Sequence, residues 1–104
     1  MSEFVKEISS SELKETIAKE GKVLIDFFAT WCGPCKMLAP VLDKVAATEK
    51  DVTFVKVDID RNVDAAEEFG VQVIPTLILV KNGEAVAREQ GFMPEGALKK
   101  FIEQ

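Results

Sequence analysis

The run Val23-Leu24-Ile25-Asp26-Phe27-Phe28-Ala29 is apolar at every position but one. It has the length of a strand and falls far short of a membrane span. A strand this apolar must be covered on both faces, as strands inside a parallel or mixed sheet are. It therefore restricts the chain to layered α/β folds, with helices above and below a sheet. Asp26 is the single flaw in the run, and any account of the chain has to give it a reason to be there.

The flanking pattern agrees. Phe4 to Ile8 alternates as a short strand, and Ser9 followed by Glu12 is a capping-box start for a helix that buries Leu13 and Ile17 and stops at Gly21. From Pro34 the apolar residues Leu38, Val41, Leu42 and Val45 recur at helical steps to near Glu49, with Pro40 expected to kink the helix. Val52 to Asp60 alternates again, placing Val55, Val57 and Ile59 on one face and Phe54, Lys56 and Asp58 on the other. A short helix over Asn62 to Phe69 ends at Gly70. Thr76 to Val80 is then joined through Asn82-Gly83 to Ala85 to Glu89 as a hairpin, and Pro94 opens a last helix. The order predicts a mixed sheet with helices on both faces. With 104 residues and no repeat or linker, one domain spanning 1–104 is expected.

Composition removes several functions. The 13 basic residues are scattered among 18 acids for a net charge of -5, which argues against a nucleic-acid or anionic-membrane surface. The stretch Met1 to Ser10 carries acids and lacks a signal-peptide core, so the expected compartment is the cytosol. There are 0 His and 0 Tyr, which excludes histidine bases, Cys-His nucleophile pairs and imidazole metal ligands within this chain.

The remaining chemistry lies in Trp31-Cys32-Gly33-Pro34-Cys35, where a buried strand gives way to a helix. A helix N-terminus directs unpaired amides and partial positive charge at the first sulfur and favours its thiolate. Cys32 is thus the expected nucleophile. Cys35, one turn on, can attack a mixed disulfide formed at Cys32. The plainer alternatives are weaker. A structural disulfide closing so short a loop contributes only about 2 kcal/mol before strain. A zinc site needs about four ligands, which only a site shared between chains would complete. Haem attachment requires His where Lys36 stands. Two buried core cysteines remain possible, although Gly-Pro between them is an odd filling for a core.

The chain resembles the thioredoxin family over essentially its whole length. The resemblance rests on Asp26-Phe27, Ala29, Trp31 to Met37, Ala39-Pro40, Lys56, Asp60, Ile74-Pro75-Thr76, Lys81-Asn82-Gly83 and Gly91. It implies a thioredoxin fold, with a five-stranded mixed sheet flanked by four helices, and a protein-disulfide reductase regenerated by a thioredoxin reductase. Protein disulfides would be its substrates and a monomer its form, with neither cofactor nor metal. It implies that the Ile74-Pro75 bond is cis and faces the dithiol, a bond that read alone would be taken as trans. Trp31, Gly33, Pro34, Ile74, Pro75 and Gly91 would form a flat apolar docking surface, with the backbone of Ile74 pairing to an extended substrate. Phe28 stands where many members carry a second Trp, and Gln90 and Phe92 flank Gly91 where smaller or more apolar groups are usual. These departures bear on partner preference.

Asp26 in an apolar strand should hold its proton more tightly than an ordinary carboxylate, with Lys56 on a neighbouring strand moderating the effect. The residues alone leave proton carrier and strand-end acid both open; the resemblance assigns Asp26 to deprotonating Cys35 through water. Asp58, Asp60, Asn62 and Asp64 match the first ligands of a calcium loop, but Val63 and Phe69 stand where Gly and Glu are required. Helix capping and solvent exposure are expected of them instead. Two rival functions stay open: an oxidant or isomerase using the same dithiol, and a non-catalytic binding subunit using the same apolar surface.

Overall fold

The computed structural model describes residues 4–104; Met1–Glu3, part of the acidic opening stretch, lie outside the described residues. The elements run β1 (Val5–Glu7), α1 (Ser10–Ile17), β2 (Lys22–Phe28), α2 (Gly33–Thr48), β3 (Val52–Asp58), α3 (Val63–Glu68), β4 (Thr76–Lys81), β5 (Glu84–Gln90) and α4 (Glu95–Ile102). The sheet order is β1-β3-β2-β4-β5. β2 pairs parallel with β3 on one side and antiparallel with β4 on the other, so the most apolar strand is also the middle one.

Alternation sorts the side chains into two cores. Leu24, Phe54, Leu77 and Leu79 point to the face covered by α2 and α4, where they meet Leu38, Leu42, Val45, Leu98, Phe101 and Ile102. Val23, Ile25, Phe27, Val55, Val57, Ile78 and Val80 point the other way, onto Leu13 of α1 and Ala65 of α3. Asp26 has the parity of Leu24, so its carboxylate is directed under α2.

Local chemistry places the ends. Ser9 caps α1 and Glu12 returns the bond to the Ser9 N–H at 3.0 Å. The helix stops at Ile17, short of Gly21, whose N–H donates to Asn82 Oδ1 at 2.8 Å while the Asn82 N–H donates to the Gly21 carbonyl at 2.9 Å. Asn82 and Gly83 both take positive φ, as the tight turn between β4 and β5 requires. α2 continues through Pro40, which withdraws one donor from the ladder. β5 is a residue longer at each end than its alternation suggests, and a register shift between Leu79 and Val80 bulges it at Val86.

The expectation for the acids after β3 needs correction. Asp58 is buried: its Oδ1 accepts the Asp60 N–H at 2.9 Å, and its backbone carbonyl receives both the N–H and the side-chain amide of Asn62 at 3.0 Å. Asn62 in turn accepts the Ser10 N–H at 2.9 Å, tying the loop after β3 to the start of α1. The residues of the spacing that mimics a cation loop are taken up by donors within the chain, the Asp60 and Ser10 N–H groups and the Ser10 hydroxyl among them.

Leu77 is fully enclosed by α2 and α4. Leu77→Ala should cost about 2–5 kcal/mol in urea denaturation, through lost burial and the cavity left behind. Ser9→Ala, which removes only a cap, should cost about 1 kcal/mol. Equal effects would contradict this division of the fold into core and cap.

Candidate active site

Four chain segments meet at the C-terminal end of β2, and strand pairing brings them there. β4 runs antiparallel to β2, so Thr76 lies opposite Phe27 and the residues before it fall beside the turn leaving β2. Gln90 lies opposite Thr76, which delivers Gly91; its N–H donates to the Pro75 carbonyl at 2.8 Å. β3 ends beside Phe28, whose carbonyl accepts the Ile59 N–H at 2.9 Å and brings Asp60 forward.

Cys32 is the N-cap of α2 and is joined to Cys35 in a disulfide, with Cα atoms 5.3 Å apart. Its sulfur accepts the Cys35 N–H at 3.2 Å, so the first turn of the helix supplies the amide that sequence reasoning expected. Pro34 sits in that turn, where its missing N–H costs nothing. Both cysteines are buried to the same degree, 5% exposed, so residue exposure does not separate them. Their surroundings do. Cys32 Sγ lies 3.8 Å from the Ile74 carbonyl oxygen, whereas Cys35 lines a half-open pocket on the Asp26 side.

That pocket, of about 240 Å³, is bounded by Asp26, Phe28, Cys35, Ala39, Leu42 and Lys56, among others. Asp26 is 3% exposed, and its Oδ1 has no hydrogen-bond partner. Burial pushes its carboxyl up from 3.8 to about 7, and the positive charge of Lys56 opposes the rise without cancelling it. Lys56 is the direct register partner of Asp26 across β2 and β3, yet its ammonium sits 5.1 Å above the Phe28 ring and forms no ion pair with the carboxylate.

The Ile74-Pro75 bond is cis. Trp31, Gly33 and Pro34 are exposed, Ile74 and Gly91 are half-buried, and Pro75 is buried, so the proline backs the surface from beneath. Trp31 is 67% exposed but held: its Nε1–H donates to Asp60 Oδ2 at 2.8 Å. Sequence reasoning gave Asp60 only helix capping and solvent exposure, with no place at the site. The available signal was an acid directly after β3 together with a Trp before the first Cys, but only the strand pairing reveals that they meet. Among the described residues no cluster of acids and cysteines is arranged to hold a metal ion. No helix among them is long and apolar enough to cross a membrane.

Comparison with known proteins agrees with this architecture. The protein-family model for Thioredoxin matches residues 4–104. Thioredoxin of Chlamydia muridarum is 50% identical over 99 residues, covering 95% of this chain and 96% of that protein. Among solved structures, a mutant thioredoxin from Halobacterium salinarum superposes with a TM-score of 0.89 at 38% identity, covering 99% of this chain and 92% of that one. Mitochondrial thioredoxin 3 of Saccharomyces cerevisiae in its oxidized form gives 0.87 at 37% identity, covering 96% and 95%. The segments gathered around the Cys32–Cys35 disulfide are thus those of a known class of protein-disulfide oxidoreductases with a redox-active dithiol, and the chain belongs to the thioredoxin family.

Proposed function

We propose that this chain reduces protein disulfides with Cys32 as the attacking thiolate, Cys35 as the resolving thiol and Asp26 as the acceptor of the Cys35 proton. The observation that carries the assignment is the asymmetry of the two sulfurs: Cys32 takes the helix amide, and Cys35 shares a cavity with Asp26. In the first step the Cys32 thiolate attacks one sulfur of the substrate disulfide, the substrate bond breaks, and the other sulfur leaves as a thiolate. In the second, Cys35 gives its proton to the Asp26 carboxylate and attacks the Cys32 sulfur. The second substrate thiolate leaves, and the two electrons the substrate has gained are balanced by the Cys32–Cys35 disulfide. A carboxyl titrating at about 7 is able to take that proton and return it near neutral pH. Lys56 keeps the carboxylate form accessible by holding the rise in check.

Trp31, Gly33, Pro34, Ile74 and Gly91, backed by Pro75, form the docking surface in this reading. A surface with a free backbone edge at Ile74 and little side-chain relief reads shape and main chain, which suits many partners. Asp60 acts as a positioning residue that fixes the Trp31 indole. The family as a whole works on protein disulfides with a reductase as electron source. For this chain we propose the reducing direction, a monomer of one domain, residues 1–104, and a cytoplasmic setting with a thioredoxin reductase as partner.

At pH 7 the reduced protein should alkylate at Cys32 roughly tenfold or more faster than at Cys35, because the helix terminus raises its thiolate fraction. Cys35→Ser should hold substrate proteins as mixed disulfides, and Cys32→Ser should hold none. Peptide mapping after iodoacetamide checks the first; capture gels with and without dithiothreitol check the second. Faster reaction at Cys35 would overturn the roles.

The raised pKa of Asp26 sets a pH signature. The native state binds this proton more tightly than the unfolded chain, so its contribution to stability is complete below about pH 4 and lost as pH rises to about 7, and the penalty persists above that. Asp26→Ala should therefore gain about 1 to 4 kcal/mol over the parent at pH 8, less a cavity cost, and nothing at pH 4. Its disulfide-reduction rate should fall near pH 7 and above, where the parent holds the carboxylate, with the resolving step slowed and little change at low pH. Urea denaturation and single-turnover kinetics at matched pH measure both. A destabilised variant with normal turnover would make Asp26 a structural acid only.

A further inference from the structure

Past Gly91 the chain leaves β5 through Phe92 and Met93 and enters α4, opening a groove of about 470 Å³ between the two elements. Met93 and Phe101 are buried and form its floor, while Phe92, 44% exposed, and Ala97 form its walls. Pairing with Leu77 sets Glu89 on the α4 side of the sheet, at one rim, and Lys100 of α4 stands at the other. Neither forms an ion pair among the described residues. The neighbouring Arg88 points to the opposite face, where it donates to the Phe69 and Gly70 carbonyls at 2.6 and 2.8 Å.

The groove begins one residue past the proposed docking edge. Gly91 is bonded to the Pro75 carbonyl, and the next residue, Phe92, is already a groove wall. A chain lying against Ile74 and passing over Gly91 meets an apolar floor with a positive rim on α4 and a negative rim on β5. We propose that this groove is a second recognition site for disulfide-bearing partners, seating a bulky apolar side chain whose acidic neighbour faces Lys100. The proposal rests on the reading of Ile74 and Gly91 as the docking edge. The apolar residue supplies most of the preference, because burying a Leu-sized side chain outweighs one exposed ion pair at the rim.

The test uses the reduced full-length protein and short peptides, each carrying one cysteine in disulfide linkage to a small fluorescent thiol. A Leu-Asp pair is placed two to six residues from the cysteine on either side, with Ser-Ser at the same places as reference. At one placement, kcat/KM for Leu-Asp should exceed that for Ser-Ser about tenfold, with the difference in KM. Ala97→Glu, at an exposed position, should bring that ratio close to one. Lys100→Glu should reverse a preference for Leu-Asp over Leu-Lys. A ratio near one at every placement in the parent protein, or a ratio that survives both substitutions, would overturn the proposal. Failure to reduce even the Ser-Ser peptide would instead count against the disulfide-reductase reading beneath it.

Discussion

β2 is the middle strand, bonded along each edge and covered by helices on each face, and among the described strands it alone has a parallel neighbour on one side and an antiparallel neighbour on the other. Because it pairs with β3 in one direction and β4 in the other, the end of β2 is where the loops after β2 and β3 and the loop before β4 must all arrive. The disulfide, the Ile74 carbonyl, the Asp60 clamp on Trp31 and Gly91 are neighbours for that reason. They are far apart in the chain and share a location through the strand pairs alone.

The same burial explains the odd residue in the strand. Leu24 and Asp26 alternate onto one face, under α2, so the carboxylate inherits the environment of a core leucine. The cation that acts on it is Lys56, whose ammonium lies over the Phe28 ring and forms no ion pair with the carboxylate. A carboxyl left without a hydrogen bond to Oδ1 and without a paired charge titrates at about 7, so both its forms are populated at neutral pH. In the proposed mechanism the pocket it shares with Cys35 gives that burial a use, because a carboxyl titrating near 7 is placed to take the Cys35 proton.

Much of the element pattern can be read from local signals. Capping at Ser9, the helical recurrence after Pro34, the alternation from Val52 and the Asn82-Gly83 turn each identify an element whose centre the structure reproduces. The ends shift, as at Ile17 and Gln90, because terminal residues are decided by partners that a local window does not contain: Asn82 for the loop after α1, Thr76 for the end of β5. Asp58 shows the same limit. Its alternation is legible, whereas its burial goes with a loop that folds back over it, the Asp60 N–H donating to its carboxylate and the Asn62 N–H and side-chain amide to its carbonyl.

By itself the sequence determined the α/β layering, the helix start at the first cysteine, the exclusion of histidine chemistry and the unusual environment of Asp26. These follow from residue type and from periods of two and 3.6, which physics ties to strand and helix over a few residues. Tertiary structure decided the sheet order, the different neighbours of the two sulfurs, the cis Ile74-Pro75 bond and the Asp60 hold on Trp31. Each of those depends on contacts between segments tens of residues apart. Which loops meet is set by the direction of each strand pair, and that direction is a property of the whole sheet rather than of any stretch within it.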